Sequence, residues 1–195
     1  MADEPTALVP TPANRLPDAY EQKFMAGRGT VLYRDKRRAP WPLHALLGTA
    51  MLISVGAVIA SGELIGLLIG PPLIAISWLL FSVLRVTVST GSVNVQYGLF
   101  GPEIAMSAIE SVEATNYDWK QFGGWGIRRS SAGEWIYNMP GDGGRAVRIV
   151  WRDRKDRRVV TLIGSPHHEQ LAAQIQSARA ALPAAAQRDA LPPGE

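Results

Sequence analysis

The stretch whose reading decides the fold is "WPLHALLGTAMLISVGAVIASGELIGLLIGPPLIAISWLLFSVL", Trp41 to Leu84. Apart from His44, its only ionisable side chain is Glu63. Two apolar runs of about 20 residues flank Ser61-Gly62-Glu63, and that is the length an α-helix needs to cross ~30 Å of hydrocarbon. A core helix of a soluble protein carries a polar face; these runs carry none. The segment 41–84 therefore reads as a hairpin of two transmembrane helices with its one charge at the tip of the turn. Pro71-Pro72 predicts a kink in the second helix, because proline gives up a helix hydrogen bond, and Ser77 or nearby backbone would satisfy the freed groups. Trp41 and Trp78 are expected as interface anchors. The first run starts too far along the chain, and lacks the small-residue site, to read as a cleaved signal peptide.

Positive charge flanks the hairpin on one side only. Arg28, Arg34, Lys36, Arg37 and Arg38 precede it and Arg85 follows it, while the turn holds no Lys or Arg. The positive-inside rule then places both ends in the cytoplasm. Residues 1–27 and 183–195, proline-rich and without a periodic apolar face, read as disordered tails. Residues 28–40 read as a basic juxtamembrane segment.

Residues 85–182 read as a β-rich cytoplasmic domain. Val86 and Val88, then Val93, Val95 and Tyr97, alternate on either side of Thr90-Gly91-Ser92, a hairpin signature. Ile104 and Met106, then Ile109 and Val112, continue the pattern. "EWIYNM", "RAVRIVW" and "RRVVTLI" add three strands, the last two joined by the turn "RDRKD". After Ile163 the period changes. Ser165 suits a helix cap, Pro166 a first helical position, and Leu171, Ile175, Ala178 and Leu182 share one helical face. About seven antiparallel strands and one C-terminal helix follow, the helix covering an open face of the sheets.

The order of a two-span hairpin, a strand-rich unit and a closing helix resembles small bacterial membrane proteins with a pleckstrin-homology-like (PH-like) domain, of the actinobacterial type that contains an FGGWG motif. "VTVSTGSVNVQYGLF", "AIESVEA", "FGGWGIRR" and "TLIGSPHHEQLAAQIQ" carry the likeness, which spans roughly 31–182. It implies a binding module at a bacterial inner (cell) membrane, and the lack of a catalytic set leads to the expectation of a non-enzyme. The implied partners are the bilayer, an anionic lipid, and another membrane protein or a second copy of the chain.

Chemistry is sparse. The chain has no cysteine, which excludes disulfides and thiolate chemistry, and three histidines, of which His167 and His168 are adjacent and point apart on a helix. No cofactor, metal site or catalytic set is expected; Ser130 and Ser131 lack a base. "FGGWG", Phe122 to Gly126, is a structural loop: no helix follows it, as a phosphate-gripping loop would need. Its glycines permit positive φ and would frame a buried Trp125, with Phe122 and Trp119 joining it. Arg128 and Arg129 are candidates for an anionic headgroup or a partner's carboxylate. The alternative function is a subunit of a membrane enzyme that binds an anionic ligand through 122–129. Arg152, Arg154, Lys155, Arg157 and Arg158, around Asp153 and Asp156, form a second candidate patch for the anionic leaflet. Nucleic acid is not expected, since one basic turn is no groove-reading element.

Overall fold

The computed structural model describes residues 17–25 and 27–182, so residues 1–16 and 26 of the tail expected at 1–27, and all of the tail expected at 183–195, lie outside the described residues. Where the sequence alternates apolar residues, strands form. The first sheet is an antiparallel meander of β1 (Val31–Arg38), β2 (Val83–Ser89), β3 (Ser92–Tyr97) and β4 (Glu103–Ala105). Val86, Val88, Val93, Val95 and Tyr97 are all buried, on the face the alternation assigns them. The second sheet takes β5 (Ile109–Asn116), β6 (Gly126–Arg129), β7 (Trp135–Asn138), β8 (Arg145–Arg152) and β9 (Arg158–Gly164), in the spatial order β5-β8-β9-β7-β6. The described residues thus hold nine strands rather than seven. Nor are all pairs antiparallel: β7 and β9 run parallel. The chain reverses after β7 to form β8, and reverses again to form β9, which slots between them.

The C-terminal helix is present, but starts later than its sequence signals suggest. It spans His168–Ala180, with His167 at the N-cap position; Ser165 Oγ accepts the His167 N–H at 3.1 Å, and Pro166 precedes the helix. Leu171, Ala172, Ile175 and Ala178 are buried against β1, β2, β5 and β8, joining one core with Tyr33, Ile104, Ile149 and Ile163.

Two expectations about the N-terminal region are corrected. Residues 28–40 are not a free basic flank, because most of them form β1. Nor are all of residues 1–27 disordered: α1 (Ala19–Phe24) carries a capping box between Asp18 and Glu21, and Met25 is fully buried. The cause is charge. Lys36 and Arg85 are cross-strand partners, and α1 brings Asp18 to both and Glu21 to Arg85, at 2.5, 3.6 and 3.9 Å. Partial burial alone would raise the Asp18 carboxyl, but the Lys36 hydrogen bond, the Glu21 N–H and the two cations bring it down to about 2.

Between β1 and β2 the hairpin leaves the domain. The helix α2 (Trp41–Ser61) is 21 residues long, apolar and without a buried residue, and it is the one helix among the described residues long and apolar enough to cross a membrane. Gly62 ends it in the left-handed conformation. The return arm is not one kinked helix. It is a 3₁₀ turn (Leu64–Leu68) and then α3 (Gly70–Phe81), with Pro71 and Pro72 in its first turn. Proline is at home there, where no hydrogen bond is lost. Trp78 Nε1 donates to His44 Nδ1 at 2.8 Å, tying the two arms together. At the base, Arg38 faces Val83 and the Ala39 N–H donates to the Ser82 carbonyl at 2.8 Å, so β1 and β2 zip up to the point where the hairpin departs.

Candidate functional site

The glycine loop is a backbone device. A 3₁₀ turn (Trp119–Phe122) is capped by the Asp118 side chain and ended by Gly123 at φ 73°; Gly124 and Gly126 follow at φ 120° and 110°. These are values that side-chain-bearing residues rarely adopt. Asn138, fully buried, holds the loop: its Oδ1 accepts the Gly126 N–H at 2.8 Å and its Nδ2 donates to the Gly124 carbonyl at 3.4 Å. The buried aromatic is Phe122, packed with Ile136, Ala146 and Leu162 and edge-on to Tyr117. Trp125 is not the buried plug the glycine frame suggested. It is 44% exposed and stacks on the half-exposed Trp119, ring centres 4.7 Å apart.

That exposed pair lies at the hairpin end of the domain. A Cβ added to Gly126 would meet the Phe81 ring at 3.7 Å, so β6 begins beside the end of α3. Arg128 and Arg129, successive on β6, point to opposite faces and do not converge. Arg128 turns back, its Nε donating to the Trp125 carbonyl at 3.2 Å. Arg129 donates to Gly133 and lies over the Trp135 ring, and it lines a small cleft with Glu134, Arg157 and Arg158.

The basic turn sits at the other end. Gly126 pairs with Asn138, and Tyr137 with Ile163, so the late residues of β9 mark the hairpin end. Arg158 opens β9, six residues before Gly164, which puts the turn about 20 Å farther from the hairpin at ~3.3 Å per residue. Most of its charge is also spent. Arg152 and Arg158 share the Glu110 carboxylate at 2.8 and 3.2 Å, Arg152 also meets Asp156, and Arg157 meets Asp153 at 2.7 Å. The Arg157 backbone and side-chain donors hold the Asp153 carboxyl below its usual range. Among the described residues, only Arg154 and Lys155 of this group lack a carboxylate partner.

A cavity of about 670 Å³ lies between the hairpin base and the glycine loop. Pro42, Leu43, Leu46 and Leu47 of α2 and Ser77 and Phe81 of α3 form one wall; Tyr97, Gly124, Trp125, Arg128 and Pro140 form the other. Arg37 stands behind it, Nη2 reaching the Pro140 carbonyl at 3.5 Å and Nη1 buried without an acceptor among the described residues. Burial pushes the Tyr97 hydroxyl up to about 12, and the nearby Arg37 and Arg128 charges oppose that rise. Of this set, sequence reading singled out Arg128 and the loop. Arg37 reads as flanking charge and Tyr97 as core, since neither residue type nor spacing reports that β1 and β3, on either side of β2, both reach the loop.

No group of three or more metal-ligating side chains occurs among the described residues. In comparisons with protein-family models, curated proteins and solved structures, the chain finds no significant match.

Proposed function

We propose that this is a non-enzymatic, two-span protein of the bacterial cell membrane whose PH-like β-domain is a binding module, held at the cytoplasmic surface, that recognises anionic lipid. The meander, second sheet and closing helix support the PH-like reading; the ninth strand and the parallel pair depart from it. Two spans are supported by the zipped base. Since β1 and β2 pair up to the hairpin, a chain that crosses through α2 must return through the second arm. At 1.5 Å per α-helical residue α2 is about 32 Å long, and α3 with its 3₁₀ turn about 28 Å, so the arms match each other and the ~30 Å core.

The observation that carries the lipid reading is the face beside Phe81. Trp119 and Trp125 are stacked and exposed there, with Lys120, Arg128 and Arg38 nearby in the chain or on the base and without carboxylate partners among the described residues. Tryptophan favours the membrane–water interface, and each cation near an anionic leaflet adds about 1 kcal/mol. The basic turn is ill placed for that role, since its ~20 Å offset exceeds the ~8 Å screening length at physiological salt.

The test is thermal melting of the full chain in detergent with added phosphatidylglycerol or phosphatidylcholine. Phosphatidylglycerol should raise Tm more. That excess should shrink in Arg38→Gln/Lys120→Gln/Arg128→Gln and persist in Arg154→Ser/Lys155→Ser. Equal shifts with both lipids in the unaltered chain would refute the reading and leave a protein partner as the target. The reverse ranking of the two variants would move recognition to the far end.

A further inference from the structure

We propose that the groove between the hairpin base and the glycine loop binds one molecule of anionic phospholipid, its phosphate between Arg37 and Arg128 and the upper part of one acyl chain along Leu43, Leu46 and Leu47. This rests on the lipid reading above and adds a place and a stoichiometry. The two walls differ in kind. Leu43, Leu46 and Leu47 lie within two turns of α2; Leu43 and Leu47 are half-buried, and the exposed Leu46 leads along the helix to the exposed Ile53. An acyl chain leaving the groove therefore stays on an apolar track. The opposite wall carries the charge. Among the described residues Arg128 engages only its Nε, on the Trp125 carbonyl, which leaves its two terminal nitrogens for a ligand. Arg37 has a buried Nη1 with no acceptor among the described residues, and an unmade hydrogen bond at a buried donor is costly. Phosphate oxygens supply acceptors to both guanidinium groups in the geometry they match best. Arg128 lines the groove, and Arg37, behind it, holds the carbonyl of the lining residue Pro140, so both stand at the same wall.

The volume, about 670 Å³, falls in the range of small-ligand sites, roughly 300–1,000 Å³. A soluble anion would leave the leucine wall unused. An apolar helix of a partner would offer no acceptor to the Arg128 terminal nitrogens or to Arg37 Nη1. A phospholipid satisfies both walls at the depth where its headgroup lies.

Native mass spectrometry of the delipidated full chain in mild detergent, with phosphatidylglycerol and phosphatidylcholine at equal concentration, tests this. The expected result is one retained phosphatidylglycerol, preferred by about tenfold. Leu46→Trp, which fills the apolar part of the groove, and Arg128→Gln, a surface change, should each reduce retention by about tenfold. Melting of the lipid-free variants shows whether they fold; should Leu46→Trp not fold, Arg128→Gln decides. A phosphatidylglycerol preference untouched by the folded variants would overturn the groove site but leave anionic-lipid recognition standing. No preference in the unaltered chain would overturn both. Displacement of the lipid by millimolar inorganic phosphate would overturn the acyl-chain half of the site.

Discussion

Phe122 and Trp125 stand three residues apart in one loop, yet only one of them is core. Phe122 is 8% exposed and Trp125 44%. Truncating a buried aromatic costs about 3–5 kcal/mol, whereas losing an exposed stacking partner costs about 1 kcal/mol. Phe122→Ala should therefore lower the melting temperature of the full chain far more than Trp125→Ala; equal losses would put Trp125 back in the core. Asp35 gives a second prediction at this scale. Burial pushes its carboxyl up, and the charges of Arg37 and His167 and the Ser165 hydroxyl, 3.5 Å away, offset this only in part. A folded pKa above the unfolded one means that the favourable protonated form is complete below the ordinary carboxylate value, about 4, and is lost as pH rises through the folded pKa. Asp35→Asn should stabilise the protein at pH 7, and its advantage should shrink towards pH 4. A gain that does not change between those two pH values would show that Asp35 does not titrate in this way.

At the scale of elements, the two strands that alternation did not reveal are β1 and β6, and both are sheet edges. An edge strand has one neighbour and needs less apolar sequence, and charge on it is ordinary. "VLYRDKRR" accordingly reads as membrane-flanking charge and "GIRR" as loop. The break from Ile104–Met106 to Ile109–Val112 is where the chain passes from the first sheet to the second, through a 3₁₀ turn at Met106–Ala108. The prolines of the return arm illustrate the same limit. Their residue type marks a disturbance of the helix, but whether that is a kink or a start depends on where the preceding turn ends. The hairpin itself is testable because the chain contains no cysteine. A cysteine introduced as Glu63→Cys should react with a membrane-impermeant maleimide on intact cells, whereas Arg154→Cys should react only after lysis. Labelling of Arg154→Cys in intact cells would refute the orientation.

For the whole molecule, the hairpin is an insertion into a β-hairpin rather than an anchor placed before a domain. Residues 85–182 lack β1, whose Tyr33 is fully buried, and leave β2 as an open edge. That fragment should aggregate or remain unfolded. A chain in which 39–82 is replaced by Asn-Gly, joining Arg38 to Val83 through a two-residue turn, should fold as a soluble β-protein. Circular dichroism and dispersed amide NMR signals would tell the two apart, and a folded 85–182 fragment would show that β1 is dispensable. The sequence by itself determined the apolar hairpin, the core faces of β2, β3 and β5, and the C-terminal amphipathic helix, because periodicity and unbroken hydrophobicity are local properties that need no partner to be read. Tertiary structure alone decided the rest. It paired a basic strand across the hairpin, docked α1 on the charges of Lys36 and Arg85, and ran β9 parallel to β7. It also carried the basic turn to the end away from the hairpin, brought Tyr97 and Arg128 to one groove and set Arg37 behind it. Each of these depends on which distant segments become neighbours, and the energy that selects them, from shared burial and charge pairing, arises only when those segments meet.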